Sequence, residues 1–421
     1  MNELPLTHKD AIKYTASIGI PFLWIDALCI LQDDKKDWGR EIAAMSKIYT
    51  QSFLTIAAGA SDHCDGGFLK ANYEKSELPV PRKGAFGVKA DFSPRTEEPN
   101  YWIRPFLQNP LFSRGWALQE RELAPRIMHF TKTFTVWECR EECYMYVRPL
   151  NAWTAPDILF LEQTHYFLWR QWPFRCFDVD PRDRRKKRDV AHLKVVTPFD
   201  VWQWTVEKFS KRSLTFPGDK LAAMGGLANE LQKHVKCDYL AGLWRDDLLR
   251  NLLWHRDGHD PVHDAQVLST SQAPSWSWGN TNFPITFDND ADADEAEVLE
   301  TKTISEGYPS IPSPPRILIR LRAKVLEVPG DYGTFYLDDP LRKPSPSEDF
   351  TVCIVRSSKT LEEKRGEEDG SEVAQKYREG GGLGLVLEAV EGGEAFRRLG
   401  MIELVPEVMI EEAKLTEISI V

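Results

Sequence analysis

The sequence predicts an α/β N-terminal domain, a helical segment after it and a β-rich C-terminal region. Residues 1–60 alternate stretches of helical and of strand-like apolar spacing, and such alternation is typical of a parallel sheet with right-handed helical crossovers. Residues 199–265 repeat apolar side chains at helical spacing, with a break at the turn-forming pair Pro217-Gly218. From residue 266 onward, short runs rich in Val, Ile and Leu are separated by Gly, Pro and acidic stretches, which indicates strands.

Composition narrows the class of protein. A chain of 421 residues is long for a single core and predicts more than one domain. The formal net charge of −11 argues against a nucleic acid or an acidic membrane as partner. No apolar run is long enough to cross a membrane, and the first residues lack the pattern of a secretory signal. Seven scattered cysteines suit a reducing compartment. We therefore expect a cytoplasmic protein.

Four elements are predicted in the first 60 residues. A first helix is expected to begin near Thr7 and to end at Gly19. The apolar run PFLWIDALCI is typical of a buried strand, and the following DWGREIAAMSKIYT of a helix that Asp37 caps. The run FLTIAAGA predicts a second buried strand, which completes a helix–strand–helix–strand order.

The rest of the chain is divided by its changes in pattern. Residues 109–124 predict a helix, and RIMHF with TFTVWEC predicts a hairpin behind it. We place the N-terminal domain at 1–150 and an irregular aromatic and basic linker at 151–198. The helical segment of 199–265 includes YLAGLWRDDLLRNLLWH, which predicts an amphipathic helix. The β-rich region of 266–421 contains acidic stretches at 288–297 and 357–381 that predict disordered loops.

Three motifs together resemble one known family. The chain contains WIDALCILQ, then DW and MSKIY, then RGWALQERELAPR, and it has DGGF between them. In these motifs it resembles the heterokaryon incompatibility (HET) domain of filamentous fungi, and its later segments resemble the region that follows such a domain. Several rare residue types at set spacing make the resemblance specific. One departure stands out: the family's opening strand, of the type L-S-Y-x-W-G, is absent before Thr7, so an exposed sheet edge or an incomplete site is expected.

The resemblance implies a function. HET domains are associated with non-self recognition and programmed cell death in fungi, and they are thought to be remotely similar to TIR domains. Those domains have a flavodoxin-like parallel sheet, and some cleave NAD at the nicotinamide glycosidic bond. The resemblance thus implies a TIR/flavodoxin-like N-terminal fold and an incompatibility effector. It leaves open a nucleotide glycohydrolase and a truncated, inactive interaction module, and it implies a partner that is a second copy or another incompatibility protein.

Two polar groups are the candidate site. Asp26 is a carboxylate in an apolar run. It either fixes two segments, by accepting hydrogen bonds from loop amides or by pairing with Arg114, or belongs to a functional site. Glu120 shares a helical face with Trp116, and an aromatic plane beside a carboxylate suits a nucleotide or ribosyl ligand. The alternative is that Trp116 is part of the core and that Glu120 pairs with a nearby arginine.

We predict no metal site and no bound cofactor. The candidate catalytic residues are Glu120 and Asp26, and the candidate ligand-binding residues are Gln32, Arg114, Trp116, Gln119 and Arg121.

Overall fold

The computed structural model describes 3–69, 109–132, 135–139, 143–147, 157–160, 197–257, 273–288, 293–303, 317–339, 342, 344–345, 347–358, 381–390 and 392–421. The chain divides into two compact units. Unit 1 comprises Met1–Val196 with two short later segments, Arg212–Leu214 and Ala222–Leu227, and unit 2 comprises the remaining residues. The predicted linker at 151–198 lies almost entirely outside the described residues.

Unit 1 begins with three helices, and one of them corrects a sequence prediction. The helices are α1 (Leu6–Ser17), α2 (Asp26–Cys29) and α3 (Lys35–Gln51). The run PFLWIDALCI is therefore not a strand, because its second part forms α2 and its first part has no regular structure.

The physical reason for this error is that the run lacks the continuous burial of a central strand. Phe22 is 85% exposed and Leu28 is 50% exposed, so the apolar pattern does not report a core position. Asp26 occupies the first turn of α2, where a carboxylate interacts favourably with the helix N-terminus. Helix formation thereby replaces the predicted strand.

The other predicted helix boundaries of unit 1 are close to those observed. Gly19 adopts φ +75° just after α1, in the left-handed region that ends helices readily at glycine. Asp34, rather than the predicted Asp37, caps α3 and accepts hydrogen bonds from the backbone N–H groups of Lys36 and Asp37. The predicted helix at 109–124 divides into a 3-10 turn (Pro110–Ser113) and α4 (Trp116–Leu123).

Unit 1 contains a five-stranded mixed sheet, ordered β1-β2-β3-β4-β5. Strand β1 (Thr55–Ala58) pairs in parallel with β2 (Arg126–Phe130), and this is the parallel pair of the sheet in the part of the chain that the structure describes. Strands β3 (Thr135–Cys139), β4 (Cys143–Val147) and β5 (Asp157–Phe160) follow in antiparallel pairings. The β2–β3 pairing confirms the predicted hairpin. The sheet is mixed rather than the parallel sheet that was expected, because the strands after β2 return directly along their neighbours.

Buried polar contacts join the elements of unit 1. The Asp10 carboxylate accepts hydrogen bonds from the backbone N–H groups of Phe68 and Leu69, at 2.9 and 3.0 Å. Phe68 packs with Ala11 and Phe130 in the core between α1 and the sheet. This contact attaches the DGGF loop to α1, since an unpaired buried carboxylate would be costly.

Unit 2 begins with two helices that the sequence predicted. They are α5 (Pro198–Ser210) and α6 (Lys220–Val235), with a 3-10 turn at Pro217–Asp219 between them. Thr197 and Asp200 form a capping box at the start of α5. The next predicted helix is wrong: its sequence forms the strand pair β6 (Tyr239–Leu240) and β7 (Leu243–Trp244), the short helix α7 (Leu248–Asn251) and strand β8 (Trp254–Arg256).

The physical reason for this second error is a sharp turn. Ala241 and Gly242 adopt positive φ, at 42° and 104°, so the chain reverses where a continuous helix was expected. Gly242 lies against the indole of Trp278. Its carbonyl oxygen accepts hydrogen bonds from the indoles of Trp202 and Trp278. Two tryptophans from other parts of the chain therefore stabilise this turn.

The remainder of unit 2 is β-rich, as predicted. Strand β8 pairs with β9 (Ile285–Phe287). An eight-stranded sheet has the order β10-β14-β15-β16-β17-β12-β11, with β13 paired to β16, and β12 pairs with β14 as well as with β17. Its strands are β10 (Ala293–Asp294), β11 (Glu297–Thr303), β12 (Ile317–Pro329), β13 (Thr334–Leu337), β14 (Asp349–Ser358), β15 (Gly381–Ala389), β16 (Phe396–Pro406) and β17 (Lys414–Ile420), with helix α8 (Glu407–Glu412) before β17.

The two predicted acidic loops have different outcomes. The first was placed at 288–297, but strands β10 and β11 occupy part of that range. The centre of the second, 359–380, lies outside the described residues. Within the described part of the chain, none of the helices has the length and apolar character that a membrane crossing needs.

Candidate functional site

Three separate elements of unit 1 bring side chains to one place. Helix α3 supplies Tyr49 near its C-terminal end, helix α4 supplies Glu120, and the start of α2 supplies Asp26. Helices α3 and α4 pack against each other, and Met45 of α3 is buried. The predicted apolar face of α3 therefore orients Tyr49 toward α4, and the candidate catalytic residues lie within electrostatic range of each other.

The centre of the site is the pair formed by the Tyr49 hydroxyl and the Glu120 carboxylate, each of which shifts the pKa of the other. The indole of Trp24 meets the Tyr49 ring edge to face, with centroids 5.9 Å apart and planes at 80°. Both Tyr49 and Glu120 are half-buried, so solvent reaches part of each side chain. The arrangement places one carboxylate and one phenol at the surface of unit 1, supported by an aromatic ring.

Burial dominates the electrostatics of Glu120. It raises the pKa of Glu120 from 4.5 to about 7. Arg114, the Tyr49 hydroxyl and Arg212 lower that pKa, and the negative charge of Asp26 raises it. Glu120 therefore exchanges its proton near neutral pH, which is the range that general acid–base chemistry requires.

Tyr49 remains a hydrogen-bond donor over the same range. Burial and the negative charges of Glu120 and Asp26 raise the pKa of Tyr49 well above 10, and Arg114 opposes the shift. The phenol thus stays protonated at neutral pH and remains a potential donor beside the carboxylate. A carboxyl group with a perturbed pKa is typical of functional sites.

A short segment from beyond residue 196 contributes a second arginine. The Ser213 carbonyl accepts a hydrogen bond from the Gly115 N–H at 2.8 Å, and the Ser213 N–H donates to the Ser113 carbonyl at 2.6 Å. Arg114 and Ser213 thereby form a parallel β-bridge. The Arg212 guanidinium donates to the Arg114 carbonyl oxygen at 3.3 Å. Arg212 is thus attached to the loop that precedes α4.

A second segment packs on α4 through a glycine. The Gly226 N–H donates a 2.9 Å hydrogen bond to Oε1 of Gln119. A Cβ atom at residue 226 would lie 2.5 Å from that oxygen and 2.8 Å from Cβ of Ser46. The segment can approach α3 and α4 this closely only because residue 226 is a glycine.

Replacing Gly226 by Ala is expected to destabilise the protein by about 1–3 kcal/mol, because the new methyl group overlaps Gln119 and Ser46. The neighbouring Gly225 is a matched control, since a Cβ there meets nothing within 4 Å. Gly225→Ala is expected to stabilise helix α6 by about 0.5–1 kcal/mol. Urea unfolding of the two variants measures the difference, and equal midpoints would contradict the close packing.

The other predicted site residues have varied surroundings. Gln32 donates its amide hydrogens to the carbonyl oxygens of Asp26 and Ile30, at 3.2 and 3.1 Å, and so closes the loop around α2. Gln119 is buried against Gly226. Trp116 is half-buried and Arg114 is exposed. Gln32 thus contacts the backbone around α2, and Gln119 contacts the backbone of α6.

Arg121 lies in a separate buried cluster. Its Nε and Nη2 atoms donate to Oε2 of Glu138, at 3.0 and 2.8 Å, and its guanidinium stacks over the Phe112 ring. The same Glu138 oxygen lies 2.7 Å from Nε2 of His129. Arg121 and its partners are almost fully buried. The side chain therefore joins α4 to strands β2 and β3, in a position apart from Glu120.

Sequence reasoning did not select two residues of this site. Tyr49 belongs to the motif MSKIY. Because its spacing with neighbouring apolar residues indicated a core position, its hydroxyl was not considered as part of a site. Arg212 follows α5 by two residues and is separated from Arg114 by almost a hundred positions. The signal available for Tyr49 was its place in a motif that resembles the family pattern. No sequence pattern pointed to Arg212.

The comparisons with known proteins identify the part of the chain that carries this site. Residues 1–120 match a family described as Heterokaryon incompatibility protein (HET). The N-terminal part of the chain is therefore similar to HET domains over these residues. The match ends at Glu120, so the matched part includes Asp26, Tyr49, Arg114 and Glu120. No curated protein and no solved structure matches the chain.

Proposed function

We propose that the protein is a cytoplasmic effector of heterokaryon incompatibility, which causes programmed cell death after non-self recognition between fungi, and that its HET domain does so by hydrolysing an N-glycosidic bond of NAD or a related nucleotide. The observation that supports the chemistry is the Tyr49–Glu120 pair, with Asp26 and Arg114 in electrostatic range. The family match supports the biological role. The proposal includes a remote likeness of the HET domain to TIR domains, whose flavodoxin-like sheet also presents functional residues at strand and helix ends.

The chemistry follows from the charges. When the bond between the ribosyl C1′ and the nicotinamide nitrogen breaks, its electron pair leaves with nicotinamide and positive charge develops on the sugar ring. An ionised Glu120 stabilises that charge, and Asp26 adds a second negative charge nearby. A water oxygen then bonds to C1′, and its proton passes to the Glu120 carboxylate. The pKa of about 7 suits this acceptance and later release of a proton.

A second candidate function is favoured by a different observation. Phe22, Leu28 and Leu31 of the HET domain expose most or half of their side chains, at 85%, 50% and 60%. Exposed large apolar side chains within one short segment are consistent with an interaction surface. In this alternative the domain transmits a death signal by association with a second copy, and the Tyr49–Glu120 pair only supports the fold.

One experiment separates the two functions. The purified full chain is incubated with NAD and nicotinamide release is followed, while wild type and Glu120→Gln are expressed in a fungal cell. Glycohydrolase function predicts that nicotinamide release and toxicity are lost together in the variant. Toxicity that persists in Glu120→Gln, or an assembled and toxic wild type without turnover, would support association and end the catalytic proposal.

A further inference from the structure

We propose that Arg114 and Arg212 form an anion-binding site beside Glu120, and that its ligand is the phosphate group of a nucleoside diphosphate. The inference rests on the proposed function, because it names the substrate class of the same site: a ribosyl compound that carries phosphate. It also gives a role to a segment outside the HET family match, which ends at residue 120.

The backbone holds the two arginines at one position. Two hydrogen bonds on either side of Arg114, from Gly115 to Ser213 and from Ser213 to Ser113, fix the later segment against the loop before α4. The Arg212 guanidinium then reaches the carbonyl oxygen of Arg114. Such a two-sided backbone pairing is far more restrictive than a side-chain contact. The backbone next to Arg212 is therefore held beside Arg114 by this bridge.

Arg114 has the capacity to bind an anion. It is exposed, and its guanidinium makes no hydrogen bond to any residue that the structure describes. Its charge nevertheless acts on Glu120 and on Tyr49. A guanidinium offers five donors in a planar fork that matches two phosphate oxygens. Arg114 thus presents this fork to solvent at the edge of the candidate site.

Arg212 provides a second cation that remains charged. Burial lowers the pKa of Arg212 to about 10, and the carboxylates of Glu122 and Glu120 oppose that shift. The side chain is therefore protonated at neutral pH. It is half-buried, where a charge-assisted hydrogen bond is stronger than in bulk water. The negative charges of Glu120 and Glu122 partly balance the positive charge of Arg212. A phosphate oxygen would be a further acceptor for its N–H groups.

The pairing of opposite charges determines the class of ligand. Two cations next to a carboxylate with a pKa near neutrality suit a molecule that is anionic at one end and develops positive charge at the other. A phosphorylated ribosyl compound has this distribution: its phosphate would bind the arginines while its anomeric carbon faces Glu120. Adenosine lacks the anionic end and is the natural comparison.

Calorimetric titration of the full chain with ADP, adenosine and pyrophosphate tests the site. We expect ADP to bind at least tenfold more tightly than adenosine, and pyrophosphate to compete with ADP. Arg114→Gln and Arg212→Gln are each expected to weaken ADP binding about tenfold to a hundredfold and to leave adenosine unchanged, because each removes a charge-assisted contact to phosphate. Arg212→Lys is expected to restore part of the loss.

Lys211→Gln is the matched control, since it removes the same charge one residue away from Arg212. Lys211 is exposed and pairs with Asp257 at 2.7 Å, so ADP binding is expected to stay at the wild-type level. Arg114→Gln decides the question if Arg212→Gln fails to fold, because the Arg114 side chain has no hydrogen bond to lose among the described residues.

The outcomes separate this inference from the proposed function. Equal affinities for ADP and adenosine, no ADP binding, or ADP binding unaffected by both glutamine variants would overturn the anion site. ADP binding that depends on the arginines, in a protein that releases no nicotinamide, would support the anion site and contradict the hydrolase. If the protein hydrolyses NAD but neither glutamine variant changes ADP binding, the hydrolase is supported and the anion site is contradicted.

Discussion

Glu120→Gln is expected to abolish nicotinamide release and, above pH 7, to make the protein more stable than wild type. The loss of activity should be at least about 10²-fold, because a neutral amide neither accepts the proton of water nor stabilises positive charge on the sugar. The gain in stability arises because wild-type protein must keep a carboxylate ionised in a site that disfavours the charge. A substitution that lowers activity and raises stability is typical of residues that serve function at a cost in stability.

The pH dependence of that gain has a definite sign. The pKa of Glu120 is raised from 4.5 to about 7 in the folded protein. Between these values the unfolded chain loses its proton first, so the wild-type free energy of unfolding falls as pH rises toward 7. Below pH 4.5 the two proteins should be alike. At pH 8 the variant should be more stable by on the order of 1–2 kcal/mol, after allowance for the part of the side chain that solvent reaches.

Thermal unfolding between pH 4 and pH 8 measures this difference, with two kinds of comparison. Glu41→Gln is the control, because Glu41 lies on α3 in a surface ion pair with Arg40, and its effect should stay within about 0.5 kcal/mol at all pH values. Asp26→Asn should lower the pH at which activity rises, and Arg114→Gln should raise it, since these groups act on Glu120 with opposite signs. A pH-independent difference for Glu120→Gln would contradict the raised pKa.

Asp26, Arg114 and Glu120 were selected from the sequence because they are the polar residues of motifs that resemble a known family. In the structure the charges of Asp26 and Arg114 act on the pKa of Glu120. The helix that carries Tyr49 was also predictable, since its apolar spacing is strong over four turns. What could not be predicted was the meeting of Arg114 with Arg212, because pairing between segments so far apart leaves no local pattern.

The errors in secondary structure have the same origin. An apolar run predicts burial only when another element covers it, and PFLWIDALCI exposes Phe22 and Leu28 instead. The segment YLAGLWRDDLLRNLLWH has helical spacing, but Gly242 at φ 104° turns the chain and the tryptophan indoles bind the backbone there. In both cases tertiary contacts decided between conformations that the local pattern allowed.

Arg398→Met is expected to destabilise unit 2 by about 3–5 kcal/mol, because it leaves the Asp338 carboxylate without its cation. Arg398 is 3% exposed. Its Nε donates to Oδ2 of Asp338 at 3.1 Å, its Nη1 donates to the Leu252 carbonyl oxygen at 2.6 Å, and its guanidinium stacks 3.6 Å above the Trp254 ring. The variant loses each of these contacts at once. Urea unfolding of the full chain, followed by tryptophan fluorescence, measures the loss.

Arg397→Met is the matched control, because the adjacent arginine is 58% exposed and pairs with Glu388 at the surface; its cost should stay below about 1 kcal/mol. The double variant Arg398→Met with Asp338→Leu should recover part of the stability, since it removes the stranded carboxylate as well. Burial raises the pKa of Asp338, and Arg398 opposes that shift. The single variant should therefore lose less stability at pH 4 than at pH 7, because a protonated Asp338 no longer needs a cation. Equal losses for Arg397→Met and Arg398→Met would show that the buried pair does not stabilise the unit.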